Sequence, residues 1–339
     1  MKELYYVGMD IHKKKIAYCI KTKEGHLIGE GEIDSCKAVL ERFARGIDAP
    51  WIGAMEATMF TGYVYDTLVE YAKELKVANP LQLKAISASK KKNDRVDARK
   101  ICDLLRVDLL PECYMSNPKI RELRRVLRYR NLLVREGTRF KNKTAGLLME
   151  LGIDYNKSRL HGKKYFNALV DNLHDVPASV KDLLTFNRST LELFKTCQLR
   201  LINGLVRHHL LHERVERLTT IPGVGVVMAL TWALEIGDPE RFTQVKQSVS
   251  YCGLTSAQRE SGDKSLRGPI SKQRNKHLQW MVIECAKLAA RTDLRLLKVY
   301  ETALEKGNRN KATLAVARKL VAYLLAVDKS GNEFVPRAL

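Results

Sequence analysis

The first eighty residues alternate between short β-prone apolar runs and stretches with helical spacing of apolar positions. Residues 4–10 predict a strand, residues 15–22 (KIAYCIKT) a second and residues 26–33 a third, with Lys23-Glu24-Gly25-His26 turning the chain between the last two. The segment SCKAVLERFARGI (35–47) predicts an amphipathic helix, PWIGAMEA a fourth strand, FTGYVYDTLVEYAKEL a helix, and KVANP a short fifth strand ending at Pro80. A helical pattern then runs from about Asp94 to Val107.

This order, β-β-β-α-β-α-β-α, is that of the ribonuclease H-like fold, in which an antiparallel meander comes first and helices then alternate with parallel strands. There the first and fourth strands lie side by side, so Asp10 and Glu56, each closing an apolar run, would meet at their ends. The helix beginning at Asp94 would bring Asp94 and Asp97, three residues apart and so on one face, to the same edge.

After Pro111 the pattern changes. Residues 117–151 read as one long helix, with ten basic residues between Lys119 and Lys143 and only Glu122 and Glu136 as acids; Arg124 and Arg128 are candidate phosphate contacts on it. Residues 178–218 read as another, with Leu183, Leu184, Leu191, Phe194, Leu201, Leu205 and Leu211 available for an apolar seam. Such a pair predicts an extended antiparallel arm, a dimerising coiled coil or an ordinary bundle. Beyond Thr219, Ile221-Pro222-Gly223-Val224-Gly225 followed by VVMALTWALEIG resembles a helix-hairpin-helix turn, in which Gly223 and Gly225 would offer backbone N–H groups to a phosphate. Helices at about 275–291, 294–306 and 309–326 close a mainly α region. The expected divisions are 1–112 (catalytic), 113–217 (helical), 218–330 (C-terminal) and a tail, 331–339.

Composition narrows the function. With 59 Lys+Arg against 38 Asp+Glu, the net charge of +21 calls for a polyanionic partner. No apolar run approaches the roughly 20 residues that span a bilayer, and no signal peptide stands at the N-terminus, so the expectation is a cytoplasmic protein with no membrane role that meets DNA or RNA. Seven dispersed cysteines with no CxxC pair exclude a zinc site of ordinary spacing and favour reduced thiols.

Four carboxylates in so basic a chain point to a divalent metal. Asp and Glu oxygens are hard ligands suited to Mg²⁺ or Mn²⁺, and two such ions about 4 Å apart serve in-line displacement at phosphorus. General acid/base work would need only two of the four. Asp94 would also serve as a helix N-cap. Around it, Lys90, Lys91, Lys92, Arg95 and Arg99 would hold a nucleic-acid backbone against acids that otherwise repel it.

A second constellation comprises Tyr251-Cys252-Gly253-Leu254-Thr255, Glu260-Ser261-Gly262-Asp263-Lys264, Gly268-Pro269-Ile270-Ser271-Lys272 and Asn275. Joined to the Asp, Glu, Asp-x-x-Asp set, it resembles the transposases of bacterial insertion-sequence family one-ten, with its eleven-eleven subgroup and the similar Piv pilin-gene invertase. The resemblance covers nearly the whole chain. It implies the RuvC-like form of the ribonuclease H-like fold with a DEDD metal site on Asp10, Glu56, Asp94 and Asp97, a coiled-coil dimerisation region, and a C-terminal domain whose serine attacks DNA to form a covalent 5′-phosphoserine link. By position that serine is Ser261, with Ser265 and Ser271 nearby, and Lys264, Lys272 and Arg274 beside the DNA. Arg274 stands where the family pattern has glycine. The resemblance further implies tetramers with composite sites, a structured noncoding guide RNA that pairs with donor and target DNA, and a bacterial or archaeal, nucleoid-associated setting.

Three rival readings remain at this level. A junction-resolvase-type nuclease would use water and need no serine. A non-enzymatic RNA-binding protein would account for the charge alone. An actin-like sugar kinase would explain VGMDIHKKKIAYCI as a phosphate loop, but His12-Lys13-Lys14-Lys15 follows the Asp where small residues belong.

Overall fold

A computed structural model describes residues 3–86, 93–261 and 264–336. The chain divides into two compact units, Met1–Pro118 and Lys119–Leu339.

In the first unit, β1 (Tyr5–Ile11), β2 (Lys15–Lys21), β3 (Leu27–Asp34), β4 (Trp51–Glu56) and β5 (Glu74–Ala78) form one mixed sheet in the order β3-β2-β1-β4-β5. The meander β1-β2-β3 is antiparallel, whereas β4 and β5 run parallel to β1, so β1 and β4 are neighbours as the ribonuclease H-like order requires. Period-2 alternation gives the sheet two apolar faces. Val7, Met9 and Ile11 pack with Trp51, Met55, Leu40 of α1 (Lys37–Arg45) and Val64 and Leu68 of α2 (Thr61–Leu68).

The opposite face carries Gly8, Asp10, Ala17, Cys19 and Ala54, and α4 (Asp94–Arg106) covers it through Ala98, Ile101, Cys102 and Leu105. The approach is close: a Cβ on Gly8 would lie 2.2 Å from the Ala98 carbonyl oxygen and 2.4 Å from the Cys102 nitrogen. Only glycine fits there.

Two expectations are corrected here. The helix read through residues 60–75 ends at Leu68, and Glu74 and Leu75 open β5, where Leu75 is buried against the sheet. The short helix α3 (Pro80–Ile86) was not foreseen.

The second unit is built around α9 (Val226–Ile236), buried on every side from Met228 to Ile236, with Thr231 and Glu235 its only polar residues in that stretch. It packs with α8 (His212–Thr219), α11 (Lys276–Thr292) and α13 (Arg309–Ser330); α10 (Val245–Tyr251) and α12 (Leu294–Glu305) complete the cluster. The 33-residue α5 (Pro118–Glu150) and the 29-residue α7 (Ala178–Val206) run antiparallel along one another. Phe140 of α5 meets Phe186 and Phe194 of α7, and Leu148 shares a cluster with Leu184 and with Phe166 of α6 (Lys163–Asp171). The helix read over 178–218 breaks after Val206 and restarts as α8. Leu211, Val215 and Leu218 keep the apolar spacing across the break, which hides it in the sequence.

The serine-bearing segment adds strands to the region expected to be mainly α. β6 (Ser256–Ser261) and β7 (Lys264–Ile270) pair as an antiparallel hairpin inside an otherwise helical unit. All seven cysteines are free, and among the described residues no helix is long and apolar enough to cross a membrane.

Candidate functional site

Asp10 sits on the α4-facing side of β1, one residue before the strand ends, and is almost fully buried. Met9 pairs with Met55, so Glu56 occupies the next step on the neighbouring parallel strand, at the same C-terminal edge. Because Gly8 lets α4 lie directly on β1, the first turn of α4 reaches this edge with Asp94 and Asp97. The N-cap is Asn93, not Asp94: its side chain accepts from the Arg95 N–H at 3.0 Å, and the two aspartates in the first turn complement the helix dipole.

The geometry adds a residue that sequence reading set aside. His12, where β1 gives way to the turn into β2, places Nε2 3.3 Å from Asp10 Oδ2 and 3.5 Å from Asp94 Oδ2. Ligand atoms of Asp10, His12 and Asp94 all lie within 4.8 Å of one another. Neighbouring ligands around a six-coordinate ion with bonds of about 2.1 Å stand about 3 Å apart, so these separations suit one divalent cation. The signal available in the sequence was the D-x-H spacing at a strand end.

Asp97 and Glu56 fall outside that three-residue group. The Asp97 carboxylate accepts from Lys100 Nζ at 3.2 Å, and the Glu56 carbonyl accepts from the Thr61 hydroxyl at 3.2 Å. Burial pushes the Asp10 carboxyl up from its ordinary value; His12 draws it down, and the charges of Asp94 and Asp97 push it up again. A buried carboxylate crowded by two others is stabilised by a cation.

The basic residues named around α4 divide. Lys90, Lys91 and Lys92 lie outside the described residues. Arg99 donates to both Glu30 oxygens, at 2.6 and 2.5 Å, and Arg95 approaches Glu32 at 3.7 Å, so both guanidinium groups turn toward β3.

In the second unit, Ser261 pairs with Lys264 at the closed end of the β6–β7 hairpin, while Gly262 and Asp263 lie outside the described residues. Ser265 pairs with Glu260 on the same hairpin. The base of the hairpin is tightly held. The Ser271 N–H donates to the Thr255 carbonyl at 2.9 Å, Arg318 Nε to the Leu254 carbonyl at 2.9 Å, and Gln279 Nε2 to the Gly253 carbonyl at 2.6 Å. Gly253 has φ +71°, and a Cβ there would lie 2.4 Å from the Cβ of Arg274. Arg274, exposed with Lys272, donates to the Ser271 carbonyl at 3.0 Å.

Glu235, 1% exposed, ties this base to the long helix. It accepts a bidentate pair from Arg128 at 2.8 and 2.7 Å and a bond from Asn275 Nδ2 at 2.8 Å. Asn275 is also the N-cap of α11. Arg124 donates to the Leu234 carbonyl at 2.6 Å. Arg124 and Arg128, named from sequence as phosphate contacts, thus have intramolecular partners, although Arg128 remains 45% exposed.

The glycine turn between α8 and α9 gives its two glycines different tasks. Gly223 has φ +79°, and a Cβ would lie 2.5 Å from the Cβ of Ala289, whereas Gly225, at the N-cap of α9, faces open space.

Two family models match this chain: a DEDD transposase model over residues 7–153 and the model described as Transposase IS116/IS110/IS902 family over residues 215–301. Among similar proteins, the transposase for insertion sequence element IS1328 of Yersinia enterocolitica is 25% identical over 98% of this chain and 99% of its own. A probable family 20 transposase of Pseudomonas aeruginosa is 24% identical over 95% of this chain and 96% of its own. The transposase for insertion sequence element IS1111A of Coxiella burnetii is 25% identical over 96% and 90%.

Proposed function

The chain belongs to the IS116/IS110/IS902 family of transposases, and on that premise we propose that it is an RNA-guided recombinase of an insertion sequence, joining DNA strands through a serine nucleophile and a divalent metal. The observation that carries the proposal is the convergence of Asp10, His12 and Asp94 at the strand edge that also holds Glu56 and the first turn of α4.

Asp10, Glu56, Asp94 and Asp97 would hold Mg²⁺ or Mn²⁺, two ions in the full site, and the donor set fits: hard oxygens, one of them on a buried carboxylate whose neighbours are also acidic. When bound, the metal polarises a phosphate oxygen and favours ionisation of the attacking hydroxyl. The residues themselves supply position. Gly8 sets how closely α4 lies on β1, and Asn93 fixes where its first turn begins.

Ser261 is the nucleophile of the proposal. Its Oγ–phosphorus bond forms as the bond from phosphorus to the 3′ oxygen breaks; a base takes the serine proton, and the departing 3′ oxygen is protonated. The product is a 5′-phosphoserine link that conserves the energy of the phosphodiester. The hairpin suits the task because its base is fixed by Thr255–Ser271 pairing, Arg318 and Gln279 while Ser261 stands at its far end. Ser271 has a turn role instead: its Oγ accepts from the Gln273 N–H at 3.1 Å.

Donor and target DNA are the substrates. A structured noncoding guide RNA, assembly into dimers and tetramers, a dimerising role for the α5–α7 arm, phosphate contact at the Gly223–Gly225 turn, and action on the nucleoid complete the reading. The test is a strand-transfer assay with end-labelled DNA and co-purified RNA, resolved under denaturing conditions. The wild type should leave a detergent-resistant protein–DNA adduct that both Ser261→Ala and Asp10→Asn abolish. Full strand transfer by Ser261→Ala would instead rule out Ser261 as the nucleophile, cleaved but unjoined ends with no adduct in the wild type would mark hydrolysis by water, and the absence of any discrete co-purified RNA would remove the guide.

A further inference from the structure

One face of α5 carries an open groove of about 490 Å³ that the metal site and the hairpin do not use. Arg121, Arg125, Arg128, Leu132 and Arg135 follow one another at helical i, i+4, i+7, i+11 and i+14 spacing, with Tyr129 between the second and the fourth. Arg125, Arg128, Tyr129, Leu132 and Arg135 are all exposed, Tyr129 by 61% and Leu132 by 37%. No acid lines the groove. The two acids in this stretch of the helix pair elsewhere, Glu122 with Lys119 at 3.1 Å and Glu136 with Arg139 at 3.2 Å.

Like charges at i, i+3 and i, i+4 oppose helix formation by about 0.2–0.5 kcal/mol per pair, and an exposed aromatic beside an exposed leucine has no use in the core. Both features are accounted for by one kind of ligand, flat and apolar in its middle and anionic at its ends. Arg128 is fixed in place by the bidentate pair with Glu235, which makes it a rigid wall.

We propose that this groove binds a single-stranded nucleic-acid segment, stacking one unpaired base on Tyr129 beside Leu132 while Arg125 and Arg135 meet the flanking phosphates. The groove reads no sequence, since every base offers a π-face. The inference rests on the nucleic-acid partner of the transposase reading but not on its serine, its metal or its guide.

The experiment is fluorescence anisotropy on the full chain with labelled oligouridylate, oligothymidylate and a duplex of equal length. Tyr129→Ala should weaken single-strand binding about 5- to 150-fold, the equivalent of one lost stack, while Tyr129→Phe stays within about twofold of wild type. Arg125→Gln with Arg135→Gln should lower the slope of log affinity against log salt by about 1.4 for the single strands. Tighter binding of the uridylate marks RNA as the source of the segment, and tighter binding of the thymidylate marks displaced DNA. Duplex affinity should be unchanged by Tyr129→Ala. Single-strand affinity unmoved by Tyr129→Ala, or lowered as much by Phe as by Ala, overturns the groove alone; failure of the wild type to bind any of the three probes overturns the groove together with the nucleic-acid binding of the proposed function.

Discussion

Gly8 of β1 lies so close beneath Ala98 of α4 that a side chain at position 8 would displace the helix whose first turn carries Asp94 and Asp97. Replacing Gly8 with Ala therefore moves the acids without touching them. Overpacking of this kind costs about 1–3 kcal/mol, and a misplacement near 1 Å at the chemistry costs about 100-fold in rate. Gly8→Ala should melt a few degrees lower and lose strand transfer by about that factor; a variant that melts lower yet retains full activity would show that α4 does not set the site.

His12 places a ring nitrogen beside the carboxylate oxygens of Asp10 and Asp94. Imidazole suits Mn²⁺ better than Mg²⁺, which prefers oxygen and water. His12→Ala should weaken Mn²⁺ binding about tenfold, read by calorimetry or by the electron paramagnetic resonance of Mn²⁺, and leave Mg²⁺ affinity nearly unchanged. Equal loss for both metals would mean that His12 only shapes the edge.

Glu235 contributes to acid stability. Burial alone would raise its carboxyl, but the Arg128 pair, Asn275 and Arg124 more than offset that and hold it below its ordinary value of 4.5. A lowered folded-state value gives stability that is present above 4.5 and lost as pH falls through the folded value, because the unfolded chain takes up the proton first. The pH dependence of denaturant midpoints should show this acid limb in the wild type and a flatter one in Glu235→Gln. Arg128→Ala, which strands a buried charge, should cost about 3–5 kcal/mol at neutral pH.

The two glycines of the α8–α9 turn separate by substitution. Gly223→Ala meets both a left-handed φ and Ala289, and should cost about 2–4 kcal/mol. Gly225→Ala faces open space and should stay within about 1 kcal/mol. Urea unfolding of the pair measures both, and DNA binding by Gly225→Ala then reports on the turn without a folding defect.

The sequence reveals the first unit more fully than the second for a physical reason. Strands β1, β2 and β4 are short apolar runs of mostly buried residues, so pattern and structure coincide, and the acids stand out as breaks in those runs. His12 did not stand out, because a polar residue in a turn is ordinary until Asp94 arrives beside it from much later in the chain. The β6–β7 hairpin was missed because SAQRES and KSLRGPI carry too few β-branched or aromatic residues to signal strands. The break after Val206 was missed because packing, not propensity, ends that helix. Arg274, a departure from the family pattern, makes sense only with Gly253, whose missing side chain leaves room for it.

The Cys102 thiol donates to the Tyr6 carbonyl across 96 residues of chain, and the contact between α4 and β1 that it marks can form only after the residues between them have been made. During synthesis β1 emerges first and must wait, unroofed on one face, until the residues of α4 have left the ribosome. Until then Asp10 has His12 beside it but neither Asp94 nor Asp97. A chain stopped before Asp94 lacks both aspartates of the first turn of α4 and leaves this face of β1 uncovered, so the candidate metal site is assembled only once α4 has been made.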